Sequence, residues 1–342
     1  KCLITTVAVD LSFQDESIIK RIVTELLSKE AYETKCIWLK EAKRFQKEIE
    51  RISIPKYNEI RCFQAGDYVL LTGGLGNIGK IVSKYLAEQK INLIIIGRRA
   101  ESGEEDWLNS LRRLVDVIYL QCDIAHYDEM LRVYKVCKEK GLIINGIIHI
   151  AGVAGEHTID CASIEEYQKP LLAKIYGTIN LNRVFRNEPL KCMIYFSSIA
   201  SQMGDYGGCG YACANAYLNN YAEYRNEMVK RHYESGKTYA IQWGIWADGS
   251  MKLPVGNEEE YFNTTGMVPI SEKHGLEMFR SITSQAETGI IAVTGNESRV
   301  DMLLKIEKSV EKPVEYTPGN KHIEMNPVKT TLNRELRNIY VL

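Results

Sequence analysis

Six short runs of β-branched and other apolar residues alternate with amphipathic stretches through the middle of the chain, and no other feature restricts the fold as much. The runs are Tyr68 to Leu71, Asn92 to Ile96, Val115 to Leu120, Gly146 to Ile150, Met193 to Phe196 and Tyr239 to Trp243. Between them, segments such as Ile78 to Gln89 and Tyr127 to Lys140 repeat apolar residues every three or four positions, the spacing of a helix with one buried face. A strand that is apolar throughout is covered on both faces, and the order strand, helix, strand, helix is that of a parallel sheet packed between two helical layers. The expected fold class is therefore α/β, a doubly wound parallel sheet, over residues 67–306.

The flanking segments read differently. Residues 1–66 hold a strand-like run from Cys2 to Val9, a helix opened by Asp15 or Ser17 with Ile18, Ile19, Ile22, Val23 and Leu26 on one face, a strand-like Lys35 to Leu39, and then a charged stretch. They contain no glycine-rich loop and read as a small accessory layer. Residues 307–342 carry Pro313, Pro318, Gly319 and Pro327 among polar residues, followed by a helical pattern from Leu332 to Leu342, and read as a linker toward a neighbouring module.

Composition narrows the function classes. The 342 residues include 43 Lys and Arg against 44 Asp and Glu, a net charge of −1, so no positive excess exists to draw a nucleic-acid backbone. With 45% hydrophobic and 25% charged residues the chain can bury a large core. Its apolar stretches fall far short of the roughly 18 residues that span a bilayer, so no membrane span is expected. Nine cysteines include no C-x-x-C pair and no Cys/His cluster at zinc spacing, which reads as free thiols in a reducing, cytoplasmic compartment with no metal. The chain opens at Lys1 with neither an initiator Met nor a secretory signal, and is read as excised from something longer.

After the first run come Thr72, Gly73, Gly74, Leu75, Gly76, Asn77, Ile78 and Gly79, placing G-x-G-x-x-G where a strand turns into a helix. Such a turn lets backbone approach a pyrophosphate whose charge the helix N-terminus favours; by itself the pattern also fits a plain tight connection. The next strand chooses the coenzyme. A site for NAD places a carboxylate about 20 residues beyond the glycines, to accept from the ribose 2′-hydroxyl. Here that position holds Arg98, followed by Arg99, and two guanidinium groups suit the 2′-phosphate of NADPH. Asp123 and Ile124 at the end of the third strand border the expected adenine position, and Ala151 and Gly152 at the end of the fourth pass the ribose; either pair also fits a strand-ending turn.

Ser198 closes the fifth strand, Tyr211 and Asn215 share one face of the following helix, and Lys174 lies on an upstream helix. A phenol, with a pKa of about 10, gives up a proton near neutrality more readily when a cation stands beside it, and Lys174 is the candidate cation. Ser198 can donate to a carbonyl oxygen on which charge develops. Taken singly, these are a packing tyrosine, a solvated lysine and a turn serine; their chemical reading rests on their being together.

Together they resemble a known family. Thr72 to Gly79, Phe196-Ser-Ser-Ile-Ala200, Tyr211-Ala-Cys-Ala-Asn215-Ala-Tyr-Leu218, Gln242-Trp-Gly-Ile-Trp246 and Gly249-Ser-Met251 are similar to the ketoreductase domain of modular polyketide synthases, in the short-chain dehydrogenase/reductase superfamily. The resemblance covers about residues 32–305. It implies a Rossmann-like sheet preceded by a truncated α/β structural subdomain, and NADPH-dependent reduction of a β-ketoacyl thioester carried on the phosphopantetheine arm of an acyl carrier protein, among neighbouring synthase domains. It assigns Tyr211 as proton donor, Ser198 as carbonyl polariser, Lys174 as the group that orients the nicotinamide ribose and lowers the tyrosine pKa, and Asn215 as holder of the helix and of a proton-relay water. Free-standing members of the superfamily place a lysine where Asn215 stands; the polyketide enzymes take it from the earlier helix, as at Lys174. Thr264-Thr-Gly-Met-Val-Pro269 is similar to synthases whose acyltransferase is a separate protein. The segment from Asp248 to Met267 is expected to form a lid, with a passive surface loop as the other reading, and Met203, Trp246, Met251 and Glu156 are expected near the substrate, Trp246 fitting plain core packing as well. Members giving one hydroxyl configuration carry Leu-Asp-Asp where this chain has Ala154-Gly155-Glu156, so the other, A-type configuration is implied. Two alternatives stay open: an α-ketoacyl thioester substrate in a hybrid or peptide-synthetase line, and a coenzyme-binding scaffold without reductase activity.

Overall fold

The computed structural model describes residues 7–9, 23, 37–40, 43–155, 161–205, 207–251, 253, 256–306 and 333–341. The chain divides into two compact units, Lys1–Arg51 with Lys305–Arg337, and Ile52–Leu304 with Asn338–Leu342.

In the smaller unit, β1 (Val7–Val9) runs parallel to β2 (Ile37–Lys40), which turns back antiparallel to β3 (Lys43–Arg51). The sequence suggests no strand at β3, because only Phe45 and Ile49 are apolar among its charged and polar residues. The helix expected from Asp15 or Ser17 lies outside the described residues, apart from Val23.

The larger unit alternates as expected: β4 (Tyr68–Thr72), α1 (Asn77–Glu88), β5 (Asn92–Gly97), α2 (Glu105–Arg112), β6 (Val117–Gln121), α3 (Tyr127–Glu139) and β7 (Ile144–His149). A long helical stretch follows, made of α4 (Ile164–Leu171), a π-helical turn (Leu172–Tyr176) and α5 (Gly177–Phe185). Then come β8 (Cys192–Ser198), α6 (Ala200–Met203), α7 (Cys209–Lys230), β9 (Lys237–Trp243), α8 (Glu258–Thr265), β10 (Met267–Val268), α9 (Glu272–Ile282), β11 (Gly289–Gly295) and α10 (Glu297–Leu303). Seven strands form a parallel sheet in the order β11-β9-β8-β7-β4-β5-β6. The short β10 lies antiparallel on the end of β11. Residues 338–341, the end of β12 (Asn333–Val341), pair parallel with the other side of β11, where Ile290 faces Asn338. A strand therefore replaces the helix expected from Leu332 to Leu342. The spacing of Leu332, Leu336 and Ile339 suits a helix, but the available edge of β11 overrides that weak local preference.

Side chains alternate across each strand, so consecutive apolar residues feed two cores. Val69, Leu71, Leu93, Ile95, Ile194 and Ile241 face α1, α2 and α9, where they meet Val82, Leu86, Leu108 and Phe279. Leu70, Ile94, Ile96, Ile147, Met193 and Ala240 face the other layer and meet Val133, Leu181, Phe185 and Leu218. Ile54, Ile60 and Phe63 join the first of these cores, so the larger unit begins at Ile52, ahead of the boundary expected at Asp67.

From β4 the chain steps outward to β5 and β6, then crosses back to lay β7 against the other side of β4. Loops leaving β4 and β7 diverge at their carboxyl ends, and such a reversal of strand order opens the crevice where α/β sheets bind ligands.

The Phe63 ring packs against the backbone of β7 at Gly146, where a Cβ would fall 2.0 Å from its Cε1. We expect Gly146→Ala to lower stability by about 1–3 kcal/mol through overpacking. Urea denaturation should show Phe63→Leu with Gly146→Ala to be less than additive, because the two residues share one space.

Candidate active site

The phosphate loop is fixed by sterics before any ligand enters. Gly73, the residue after β4, adopts φ +72°, and a Cβ there would lie 2.9 Å from the Ala151 backbone. At Gly79, on the first turn of α1, a Cβ would lie 2.3 Å from the Gly73 carbonyl oxygen, so helix and loop touch backbone to backbone. Gly76 caps α1, and its N–H closes the turn onto Gly73 O at 3.0 Å. Neither a side-chain cap nor an acidic first-turn residue is present, so the N–H groups of Asn77 and Ile78 keep the positive end of the helix unneutralised. Thr72 is fully buried; its Oγ1 accepts from Ala151 N at 3.2 Å and bonds His149 Nδ1 at 2.7 Å, tying β4 to the end of β7.

The two arginines beyond β5 differ. Arg99 donates to the Leu75 carbonyl and pairs with Glu104 at 3.3 Å, while Glu104 also holds Lys80 of α1 at 2.6 Å. It braces the glycine loop from outside. Arg98 is exposed and has no ion pair among the described residues, which leaves its guanidinium available to a phosphate. After β6, Asp123 Oδ1 accepts from Ala125 N at 3.0 Å, and Ile124 is buried against Gly177 with its carbonyl accepting from Asn180 at 2.9 Å. A backbone cradle at a helix N-terminus with an unpaired guanidinium beyond the second strand fits a phosphorylated dinucleotide.

Lys174 stands in the π-helical turn. Ser163 and Glu166 form a capping box that starts α4, and Pro170 interrupts the helical ladder just before the turn. The Gly177 N–H then bonds Leu172 O instead of Ala173 O, adding a residue to the turn. Lys174 is thereby turned into the interior, 3% exposed, with Nζ donating to the Phe196 carbonyl of β8 at 2.8 Å. Burial pushes its pKa down to about 7.

Tyr211, on the first turn of α7, is buried, and Ser198 and Asn215 lie within hydrogen-bonding reach of its hydroxyl. Burial raises its pKa above the ordinary value, and those two partners oppose the rise without cancelling it. The expectation that Lys174 lowers the phenol is not met: the ammonium is committed to the Phe196 carbonyl and is not among the groups that shift Tyr211. Asn215 Nδ2 donates to the Tyr211 carbonyl at 2.8 Å, which fixes the helix turn, while its Oδ1 is buried without a protein partner. The Ser198 hydroxyl accepts from Ala200 N at 3.2 Å.

The KR domain family profile matches residues 67–248. The chain belongs to the KR domain family. Polyketide synthase PksM of Bacillus subtilis (strain 168) is 33% identical over 285 residues, 81% of this chain and 6% of that protein. PksL of the same organism is 29% identical over 270 residues, 78% of this chain and 6% of that protein. This KR domain thus spans a small fraction of the curated relatives it matches. The crystal structure of a ketoreductase domain from the bacillaene assembly line superposes with a TM-score of 0.75 at 24% identity, covering 88% of this chain and 72% of that one, and shares its fold. Polyketide-synthase ketoreductase membership, expected from the motifs, is therefore shown.

The expected substrate contacts fare unevenly. Trp246 is 3% exposed and packs edge-on against Trp243 and over Gly275, so in this KR domain it is a core residue. Met203 and Met251 are each 40% exposed. Glu156 lies outside the described residues, as do Lys252, Pro254 and Val255 of the expected lid. The far end of that segment is anchored, since Met267 pairs with Gly295. No described helix is long and apolar enough to cross a membrane, and no group of three or more metal-ligating side chains occurs among the described residues.

Sequence reasoning missed a buried amide network behind Ser198. The Ser201 hydroxyl donates to the Ser198 carbonyl at 2.7 Å and accepts from Asn219 Nδ2 at 2.8 Å, and Asn219 also reaches Gln242 Oε1 at 3.1 Å. Asn219 lies two turns beyond Tyr211 on the same face of α7, which was the available signal.

Gly152 makes room for the lysine. A Cβ there would stand 2.7 Å from Lys174 Cε, and Gly152 needs no positive φ, so alanine is tolerated by the backbone but not by the lysine. Gly152→Ala is expected to cut turnover in a ketone-reduction assay by about 10- to 100-fold through misplacement, with Tm near wild type.

Proposed function

We propose that this domain reduces a β-ketoacyl thioester, held on the phosphopantetheine arm of an acyl carrier protein, to the β-hydroxyacyl thioester during polyketide assembly in the cytoplasm, with NADPH as coenzyme. The observation that carries the proposal is the pairing of Tyr211 with Ser198 at the end of β8, with the buried Lys174 held on the carbonyl of Phe196, two residues earlier on the same strand.

Bound NADPH supplies the hydride. Tyr211 supplies the proton: burial keeps the phenol protonated throughout neutral pH, so the donor form is the resting form. Ser198 donates a hydrogen bond to the ketone oxygen and stabilises the charge that develops there, which also draws the Tyr211 proton across. An ammonium has three N–H groups and the Phe196 carbonyl takes one, leaving Lys174 donors for the ribose and for returning a proton toward Tyr211. Asn215 Oδ1, buried without a protein partner, is the acceptor for a relay water. Ala154-Gly155-Glu156, standing where members giving the other configuration carry Leu-Asp-Asp, favours the A-type hydroxyl configuration.

Tyr211→Phe, assayed with carrier-bound β-keto and α-keto thioesters side by side, is expected to keep NADPH binding and lose nearly all turnover, while the wild type prefers the β-keto chain. Turnover near wild type in that variant would falsify the role of the phenol, and no turnover by the wild type on either substrate would leave a scaffold. Arg98→Ala is expected to raise KM for NADPH by about 10- to 100-fold, the loss of one charge-assisted hydrogen bond, while KM for NADH stays within a few-fold. Equal changes for both coenzymes would remove the 2′-phosphate assignment.

A further inference from the structure

His149 is fully buried at the end of β7, between the phosphate loop and the π-helical turn, and the reaction outlined above gives it no part. Its Nδ1 is 2.7 Å from Thr72 Oγ1. That hydroxyl also accepts the Ala151 N–H; with its own proton directed to Nδ1, the tautomer taken for the proposal below, the imidazole carries its proton on Nε2. Nε2 is buried without a hydrogen-bond partner, and the Ala173 backbone lies near enough to the ring to act on its charge. The Ala173 carbonyl has lost its ordinary helical donor, because the Gly177 N–H bonds Leu172 O across the π-helical turn. A buried donor without an acceptor thus confronts a buried acceptor deprived of its donor, one residue before Lys174. Leaving either unpaired costs about 1–3 kcal/mol, so the pairing favours the widened turn over a regular one.

We propose that His149 is a positioning residue for Lys174: its Nε2–H caps the Ala173 carbonyl, holds the helix in the widened turn, and so keeps the ammonium aimed at the Phe196 carbonyl and the site, while Thr72 fixes the ring from the phosphate loop. The inference deepens the reductase proposal and rests on it only for its kinetic readout. The protonation state agrees, since burial and the nearby Lys174 charge push the His149 pKa down to about 3 and keep the ring a neutral, single-proton donor.

The test exploits the reach of two amides. A glutamine nitrogen can stand where Nε2 does, whereas an asparagine nitrogen reaches only the place of Nδ1. His149→Gln should keep kcat within about threefold of wild type, and His149→Asn should lose about tenfold or more in kcat at unchanged KM for NADPH. The second readout needs no turnover: in protein carrying 13Cε-labelled lysine, the Lys174 resonance, assigned by its loss in Lys174→Met, is titrated in each variant. In His149→Asn the lysine is freed toward water, and its titration should move up by roughly one pH unit or more; in His149→Gln it should stay at the wild-type midpoint. Equal behaviour of the two variants, either both like wild type or both impaired, overturns the proposal and reduces His149 to a packing residue. If the wild type proves inactive on every ketone, the titration still decides the positioning role, so the two failures are distinguishable. Should His149→Asn be too unstable to purify, Thr72→Val, which removes the hydroxyl that sets the tautomer, is expected to shift the Lys174 titration in the same direction; an unmoved titration there also overturns the proposal.

Discussion

An ammonium removed from water must find oxygen or give up its proton, and the arrangement around Lys174 follows from that requirement. Desolvation weakens its hold on the proton while the Phe196 carbonyl strengthens it, so the group is balanced close to neutrality. The balance depends on the backbone. The carbonyl is fixed because β8 is paired on both sides, by β7 and β9; the lysine is turned inward because one helical turn contains an extra residue; and space for its stem exists because position 152 has no side chain. None of these supports is itself a charged partner.

The phenol is handled in the opposite way. Tyr211 is buried with hydroxyl and amide neighbours and no cation acting on it, so its proton is held more tightly than in water. Behind it the Ser201, Asn219 and Gln242 network secures the turn that presents Ser198. The proposed donor and polarising group are thus held by hydroxyl and amide neighbours, while Lys174 sits on the Phe196 carbonyl.

Much of this was legible in the chain itself. Strands buried on both faces announce themselves as unbroken apolar runs, which is why β4 to β9 could be located, and a glycine loop between strand and helix has few structural meanings. The four residues proposed for catalysis stand out in the sequence as a set that falls at strand ends and on one helical face. What stayed hidden was whatever depends on a partner far along the chain. β3 is too charged to show a pattern, and the end of β12 becomes a strand through the edge of β11. The widened turn at Leu172–Tyr176 leaves almost no trace beyond Pro170, and with it went the true surroundings of Lys174. Trp246 stayed open between pocket wall and filling because an indole beside glycines suits both, and its burial against Trp243 and Gly275 decides for filling.

The bracing of Gly73 by Ala151 and of Thr72 by His149 carries a consequence for biosynthesis. On the ribosome β4, β5 and β6 emerge before β7 and can pair as neighbours, yet part of the support for the glycine turn belongs to that later strand, which inserts on the opposite flank of β4. A nascent chain released before β7 is translated holds the glycine fingerprint without the brace from His149 and Ala151. The full bracing of the turn is therefore acquired late, when the second half of the sheet closes on the first.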